Sequence, residues 1–460
     1  MVGLPGRRAQ GPQRPLSRWA SGAVDLGHAR LDDVDLRQRW VLLRGDHLVK
    51  NSFFLFASSG AMGGFGFFFW IVNAHLFSVT EVGVATTLIT ATVLISYAAQ
   101  LGFNSSLVRF LPASTDPDSE ASTGLALVFL AALVLGAVYI AIVPTVVPQL
   151  ASIRRSIPYS VGFVLFTALS AVNLVTDSIF VARRAAFFNF VIDGVAQSIV
   201  KLMLPVALVS MGAFGIFAAS GFAASVAVVA SIVVLSARLG YRLRPTVSVE
   251  VVRRVFRYAG GNYLANLLNL LPILLLPVIV VHVRGAADGG YYYIAYQIAN
   301  LLFALAFAVS SSLFAEGSHE GTSLAHVARR AARLEAITMI PLSLALIVVS
   351  HPLLSLFGAR YAGNGRGLLV VLALSAPVVA FCDWAVALLR LSGQLRALVL
   401  TNAIYAVTMC GLASIWAHRG LAWVGAAWLV GNLVCGSLAA LALLVRTRGE
   451  GTDAPGMVPA

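Results

Sequence analysis

Four polar residues recur at four-residue steps in an otherwise apolar stretch: Asn189, Asp193, Gln197 and Lys201. In a helix this spacing makes one slowly drifting stripe. A carboxylate, two amides and an ammonium on one face could bind an ion, hold an anionic group or line a water-filled path. At about 1.5 Å per residue, Lys201 stands roughly 12 Å along the axis from Asp193, so the two need not pair. Lys201 also lies over half-way along its helix, too deep to snorkel easily to the surface. Two readings stay open: a cation facing a cavity, or half of an ion pair with a neighbouring helix.

Three further stripes have the same character. Asn262, Asn266 and Asn269 stand at i, i+4 and i+7, and Tyr293, Gln297 and Asn300 repeat that spacing. Thr86, Thr90, Tyr97 and Gln100 share a third face. Hydroxyls and amides suit sugars or polar head groups, and they equally serve to tie helices together. Asp177 and Arg184 stand two turns apart, as do Asp383 and Arg390. Each pair reads as a gate or as an anchor at a helix end. There is no metal-ligand cluster, no phosphate-cradling loop followed by Lys and no Ser/His/Asp set in a loop. Catalytic residues, metals and cofactors are therefore not expected.

The elements carrying these residues are membrane spans. Of 460 residues, 59% are hydrophobic and 11% charged, whereas a soluble domain carries about 25% charged residues. Residues 51–74 and 82–108 hold no charge at all, and about 20 apolar residues cross a bilayer core. Residues 1–50 contain no apolar run of the kind a cleaved leader needs, so the first such run reads as a span. Hydropathy marks twelve candidates: 52–74, 82–103, 124–148, 158–181, 188–209, 213–236, 259–282, 290–313, 336–357, 367–389, 397–416 and 421–445. Glycines 60, 63, 64 and 66 give the first span close packing or a bend. Cys382, Cys410 and Cys435 fall within spans and read as packing residues.

Charge orients the map. With the N-terminus in the cytoplasm, inner segments hold 25 Lys/Arg, outer loops 6, and Lys201 sits within a span. Discounting five far from the first span leaves 20 against 6, which is the positive-inside bias. The net charge of +13 then points to anionic lipids of the inner leaflet as partners, not to nucleic acid. Residues 1–50 read as a largely disordered cytoplasmic tail, and 447–460 as a short polar one.

The chain also repeats itself. Glu81-Val82-Gly83 opens the second span and Asp288-Gly289-Gly290 the eighth. Ser105-Ser106-Leu107 matches Ser311-Ser312-Leu313, Asp177 and Arg184 match Asp383 and Arg390, and Gly212 matches Gly420. The offsets are near-constant, as a duplication requires. Six spans per repeat leave both halves in one orientation, related by a pseudo-twofold axis along the membrane normal. The expected organisation is an all-α polytopic membrane protein: about twelve transmembrane helices in two parallel six-helix lobes, 51–237 and 258–446, around a central cavity. Between them, 238–257 carries six Arg. Its stripe of Val249, Val252, Val255, Phe256 and Ala259 reads as an amphipathic helix on the inner surface, or as a solvated linker.

Two segments resemble a known family. LFSVTEVGVATTLITATVLISYAAQLGFNSSLVRFLP (76–112) and LLSLFGARYAGNGRGLLVVLALSAP (353–377) are similar to polysaccharide-biosynthesis flippases, of the multidrug/oligosaccharidyl-lipid/polysaccharide exporter superfamily. The matching positions include Glu81, Gly83, Leu101, Gly102, Ser105, Ser106, Arg109 and Phe110, and the resemblance runs over about 50–446. It implies a V-shaped two-lobe transporter with a cationic central cavity, flipping a polyprenyl-diphosphate-linked oligosaccharide across the plasma membrane, with a coupling ion as a further possible partner. The first span lacks the arginines of related peptidoglycan-precursor flippases. The cationic duty then falls to Lys201, Arg109 and the inner arginines. The competing expectations are a drug antiporter of the same superfamily and a membrane enzyme of glycan assembly. The short outer loops disfavour the enzyme. The arginine-rich signature that major-facilitator carriers bear after their second span is replaced by NSSLVRFLPASTDPDSEAS.

The charge map makes a direct prediction. Reporter fusions at Gly285 and Arg419 report the outside and a fusion at Arg244 the cytoplasm; an inside signal at Gly285 breaks the map.

Overall fold

The structure, a computed structural model, describes residues 47–146, 148–150, 154, 156–317 and 324–452. Of the tails expected at 1–50 and 447–460, residues 1–46 and 453–460 lie outside the described residues, as do the side chains of Ala259 and Asn262. Residues 47–50 and 447–452 extend the first and last helices. Among the described residues, twelve helices are long and apolar enough to cross a membrane. Spans 1–6 are Phe53–Leu76, Val79–Ala99, Pro117–Val143, Ile157–Ala182, Ala186–Ala207 and Ala213–Ala237. Spans 7–12 are Tyr263–Arg284, Ala286–Leu313, His326–Ser355, Ala359–Leu391, Leu395–Arg419 and Leu421–Val445. Spans 3, 9 and 10 begin several residues earlier than hydropathy indicates, because their polar first turns are held by protein partners. Glu120 of span 3 pairs with Arg254 at 2.7 Å, and Tyr361 of span 10 is buried among aromatic rings.

The spans form two six-helix lobes. The first lobe has two apolar clusters, one around Phe103, Leu107, Ile179 and Phe180 and one around Leu88, Phe163 and Phe217. The largest cluster fills the second lobe through Leu368, Leu369, Leu372 and Ala376. It continues across into Phe69, Trp70 and Val82 of the first lobe, so the lobes share a core at one end. At that end Trp70 meets Tyr293 edge-on at 4.8 Å and Phe67 meets Phe357 at 5.4 Å.

The repeated acid-x-Gly motif explains this junction. Ser78 caps span 2: its hydroxyl accepts from the Glu81 backbone N–H, and its own N–H donates to Glu81 Oε2 at 2.8 Å. This is a capping box, with the acid also well placed against the helix dipole. Asp288 does the same for the dipole of span 8 and accepts from Arg284. Two residues beyond each acid, the helices cross backbone to backbone. A Cβ on Gly83 would lie 1.7 Å from the Ala286 carbonyl oxygen and 2.8 Å from the Gly290 nitrogen. A Cβ on Gly290 would lie 2.5 Å from the Val79 carbonyl oxygen. Only glycine permits that approach. Gly83 and Gly290 are equivalent positions of the repeat, and equivalent residues meet where a twofold axis passes.

At the opposite end lies the linker. The expected surface helix is instead the start of one continuous helix, Val249–Arg284, that becomes span 7. Its first turns dock on the first lobe, because Val251 and Val255, four residues apart, are buried in that lobe's core. Val249 and Phe256 remain exposed. Ahead of the helix, the Arg244 and Ser248 N–H groups donate to the hydroxyls of Ser122 and Thr123, both at 3.0 Å. The glycines of span 1 do not pack closely: no heavy atom lies within 4 Å of a Cβ built on Gly60, Gly63, Gly64 or Gly66.

These two glycine environments predict opposite responses. Gly83→Ala forces the lobes apart and costs about 1–3 kcal/mol, as overpacking does, lowering the melting temperature in detergent. Gly60→Ala leaves the melting temperature unchanged or raises it, since a glycine within a helix costs about 0.5–1 kcal/mol relative to alanine. Equal effects of the two substitutions would contradict the crossing.

Candidate functional site

Three hollows with shared lining residues lie away from the crossing. The first is a cleft of about 320 Å³ between the lobes. Tyr97, Gln100, Asn104 and Ser105 line it from the first lobe, and Tyr263, Asn266, Asn269, Phe307 and Arg390 from the second. Tyr263 Oη fixes its floor, donating to the carbonyl oxygens of Ala98 at 2.6 Å and Tyr97 at 3.2 Å. Gln100 is buried and spends its Nε2 on the Ala171 carbonyl at 2.8 Å. Arg390 donates to Asn266 Oδ1 at 3.1 Å and makes no ion pair among the described residues.

The second hollow, about 140 Å³, continues into the second lobe past Asn269, Phe307 and Arg390 to Ser310, Ser311 and Asp383. The third, about 260 Å³, lies within the first lobe. Tyr97 lines it as well as the cleft, so this ring stands at the threshold between them. Its polar wall is Thr92, Ser96, Ser170, Asn173, Asp177, Gln197, Lys201 and Ser220, and its apolar wall includes Met62, Phe166 and Phe217.

Lys201 therefore faces a cavity, but one walled by the first lobe rather than by both. No carboxylate among the described residues lies within ion-pair distance of it. Its ammonium sits over the Phe69 ring, 4.8 Å from the centroid. A cation–π contact offsets only part of the cost of holding a cation in a membrane interior.

The rest of the stripe turns elsewhere. Residues 190–197 wind as a π-helix, a local widening common at functional sites. Gly194 within it packs tightly on Ser58, where a Cβ would stand 3.1 Å from Cα. The widening turns Asp193 toward span 4, where Asn173 Nδ2 donates to Asp193 Oδ1 at 2.9 Å. Asn189 Nδ2 donates to the Asp177 carbonyl at 3.4 Å, and the Asp177 and Asp193 carboxyls interact directly. Five oxygens of this cluster have no protein donor: Asn173 Oδ1, Asp177 Oδ1, Asn189 Oδ1, Asp193 Oδ2 and Gln197 Oε1. Two carboxyls with amide oxygens make a hard, anionic donor set that suits a small cation or a shared proton.

Other expected residues take structural roles. Tyr293 packs on Trp70 at the closed end, and Asn300 accepts from Tyr296 Oη at 3.4 Å. With Gln297 they line none of the three hollows. Tyr293 packs at the closed end as one ring of an aromatic seam with Trp70. Arg109 is exposed at the linker end, 4.9 Å from the Tyr258 ring centroid. Arg184 does not share the face of Asp177. Span 4 ends at Ala182, and Arg184 sits exposed in a turn at φ 54. Its repeat partner Arg390 stays in the last turn of span 10 and reaches the cleft. Sequence reasoning missed Asn173 (four residues before Asp177), Tyr263 (three before Asn266) and Ser310 (next to the repeated Ser311-Ser312). Their neighbours carried the signal, and the contacts that give these three their roles run between helices.

Comparisons with known proteins bear on the family and the fold. A family model described as polysaccharide biosynthesis protein matches residues 72–364, well over half of the chain. A search of curated proteins finds no match. Among solved structures, an inward-facing multidrug resistance transporter of the MATE family and MOP superfamily is 15% identical at a TM-score of 0.66, covering 85% of this chain and 96% of its own. The lipid II flippase MurJ, in an inward closed conformation, is 12% identical at a TM-score of 0.69, with coverages of 85% and 87%. A MOP superfamily transporter from Pyrococcus furiosus, described as having a binding pocket of reverse polarity, is 16% identical at 0.58, with coverages of 88% and 97%.

The carboxyl cluster yields a stability test. Asn173→Leu strands a buried carboxyl oxygen and costs about 1–3 kcal/mol. Asp193→Asn removes the repulsion between the two acids and leaves melting unchanged or higher. A larger loss for Asp193→Asn than for Asn173→Leu would mean that the acids are held by a counter-charge.

Proposed function

The chain belongs to the polysaccharide biosynthesis protein family, and on that premise we propose that it flips a polyprenyl-diphosphate-linked oligosaccharide across the plasma membrane. The observation that carries this reading is two cations lining hollows that share Tyr97, neither within ion-pair distance of a carboxylate among the described residues, with Asp383 the acid that acts on Arg390. Arg390 stands in the cleft and Lys201 in the cavity beyond Tyr97. A diphosphate is the anion such groups await. The guanidinium offers a fork to two phosphate oxygens, and the ammonium a point charge. Their attraction strengthens where water is sparse. Around them the hydroxyls and amides of Tyr97, Asn104, Ser105, Tyr263, Asn266 and Asn269 match the donors and acceptors of sugar rings.

The positive-inside bias supports both termini in the cytoplasm, which puts the mouth of the cleft on the cytoplasmic side and the glycine crossing outside. The substrate then enters where the lipid precursor is made and leaves when the crossing end opens. The inner arginines also favour anionic lipids around the cytoplasmic rim. Asp177 and Asp193 are the natural seat for a coupling ion. Two carboxyls buried side by side without an ion-paired cation favour a proton or small cation held between them. The same pair is what favours the second reading, an antiporter for a cationic small molecule. Lys201 lines the same hollow and repels such a cargo.

In cells lacking the native copy, Lys201→Ala is expected to reduce surface glycan at least about tenfold, a transition-state loss of about 1.4 kcal/mol, at near-normal membrane abundance. Lys201→Arg keeps partial export because charge persists while geometry changes. Normal export per molecule of Lys201→Ala would refute the diphosphate role.

A further inference from the structure

The polar path of the second lobe does not end at Asp383. Ser310 lines the same hollow, and its hydroxyl donates to Glu335 Oε1 at 2.8 Å. Glu335 lies inside span 9 and is 4% exposed. Among the described residues no arginine or lysine forms an ion pair with it. Asp383, from span 10, is the charged group that acts on it across the helix interface, and from span 8 it meets only the Ser310 hydroxyl. On its own helix, Arg329, Arg330 and Arg333 stand six, five and two residues before it, spacings that put them on other faces. All three are exposed.

Glu335 also lines a separate groove of about 360 Å³ between spans 9 and 10. The groove is walled by Ala336, Ile340, Pro377, Phe381 and Trp384. Ile340 is 50% exposed within a span, so the groove opens toward lipid. One carboxyl thus stands between a polar path from the cleft and an apolar recess in the membrane face. An ionised carboxylate there, with no cation beside it, costs several kcal/mol. Accepting a proton removes that cost and still leaves an oxygen to accept from Ser310.

We propose that Glu335 is a proton-binding site of the second lobe, reached from the cleft through Ser310 and open on its other side to apolar molecules in the groove. In the proposed flippase, the proton sets the charge beside Asp383, and so the field at Arg390 where the substrate's phosphates bind. That consequence rests on the transport reading. The site itself does not.

An apolar carbodiimide tests the site, because it partitions into lipid and reacts with a protonated carboxyl. The acid proton moves to one carbodiimide nitrogen and the carboxyl oxygen bonds to the central carbon. The acyl group of this O-acylisourea then shifts to nitrogen, giving a stable N-acylurea. The reaction is a net addition, with no leaving group and no redox partner. The full chain in nanodiscs of phosphatidylcholine is treated with dicyclohexylcarbodiimide, and with a water-soluble carbodiimide in parallel, then peptide-mapped by mass spectrometry. The expected result is an adduct on Glu335 with the apolar reagent. Its yield falls several-fold as rising pH ionises the acid, and it exceeds the yield with the water-soluble reagent. Asp383→Asn retains the adduct, and Glu335→Gln lacks it while eluting as the wild type does. No adduct on Glu335 in the wild type, a yield independent of pH, or equal labelling by both reagents would overturn the proposal. Labelling needs no substrate, so the glycan reading can fail without it, and an unlabelled Glu335 leaves that reading standing.

Discussion

The architecture depends on one close approach: the backbone of span 2 crossing the backbone of span 8 at Gly83 and Gly290. Two lobes that share a core at one end must diverge at the other, and the cleft exists because they do. The crossing also sets the axis. Equivalent residues of the two repeats face each other there, so motion of one lobe about this contact has a matching motion in the other. Packed interfaces tend to be bistable rather than continuously deformable. The acids two residues before the glycines, Glu81 and Asp288, begin their helices at the right residue, and that register brings glycine to glycine. Capping and packing are thus one device.

The second constraint is the cost of polarity in a membrane. A hydroxyl can pair with its own helix, as Thr86, Thr87 and Thr90 do with carbonyls of span 2. Lys201, Arg390, Glu335 and the Asp177–Asp193 pair have no such solution, and all five line a hollow or touch one that does. The two cations line the hollows on either side of Tyr97. Asp177 shares the first-lobe hollow with Lys201, and Asp383 shares the second-lobe hollow with Arg390. Asp193 and Glu335 lie against helix interfaces. Each cation thus has an acid in its own hollow, an arrangement that suits an anionic cargo exchanging with small cations or protons.

Much of this was legible in the sequence because it follows from hydropathy and spacing. The twelve spans, the duplication and the depth of Lys201 all rest on signals that run along one helix. What was lost depends on contacts between helices. The stripe at Asn189 to Lys201 was visible, but its bend was not, because the π-helix at 190–197 turns Asp193 toward Asn173. Tyr293, Gln297 and Asn300 showed a polar period, yet Tyr293 is an aromatic seam residue against Trp70. Glu335 was hidden by its neighbours. With arginines at 329, 330 and 333, hydropathy starts span 9 at 336 and reads the glutamate as part of a charged loop. The helix in fact begins well before it, with those arginines on other faces. Arg184 and Arg390 looked alike in sequence, and only the end of span 4 at Ala182 separates a surface turn from a cleft residue.

The central claim is that the lobes open at the linker end while glycine closes the other, and that substrate reverses this. Spin-label distances test it most directly, in a chain whose Cys382, Cys410 and Cys435 are replaced. One label pair, at Asn104 and Leu267, spans the cleft; the other, at Thr80 and Ala287, spans the crossing. The account predicts that a polyprenyl-diphosphate-linked glycan shortens the first distance and lengthens the second. Two distances that stay fixed, or that move in the same sense, would contradict it.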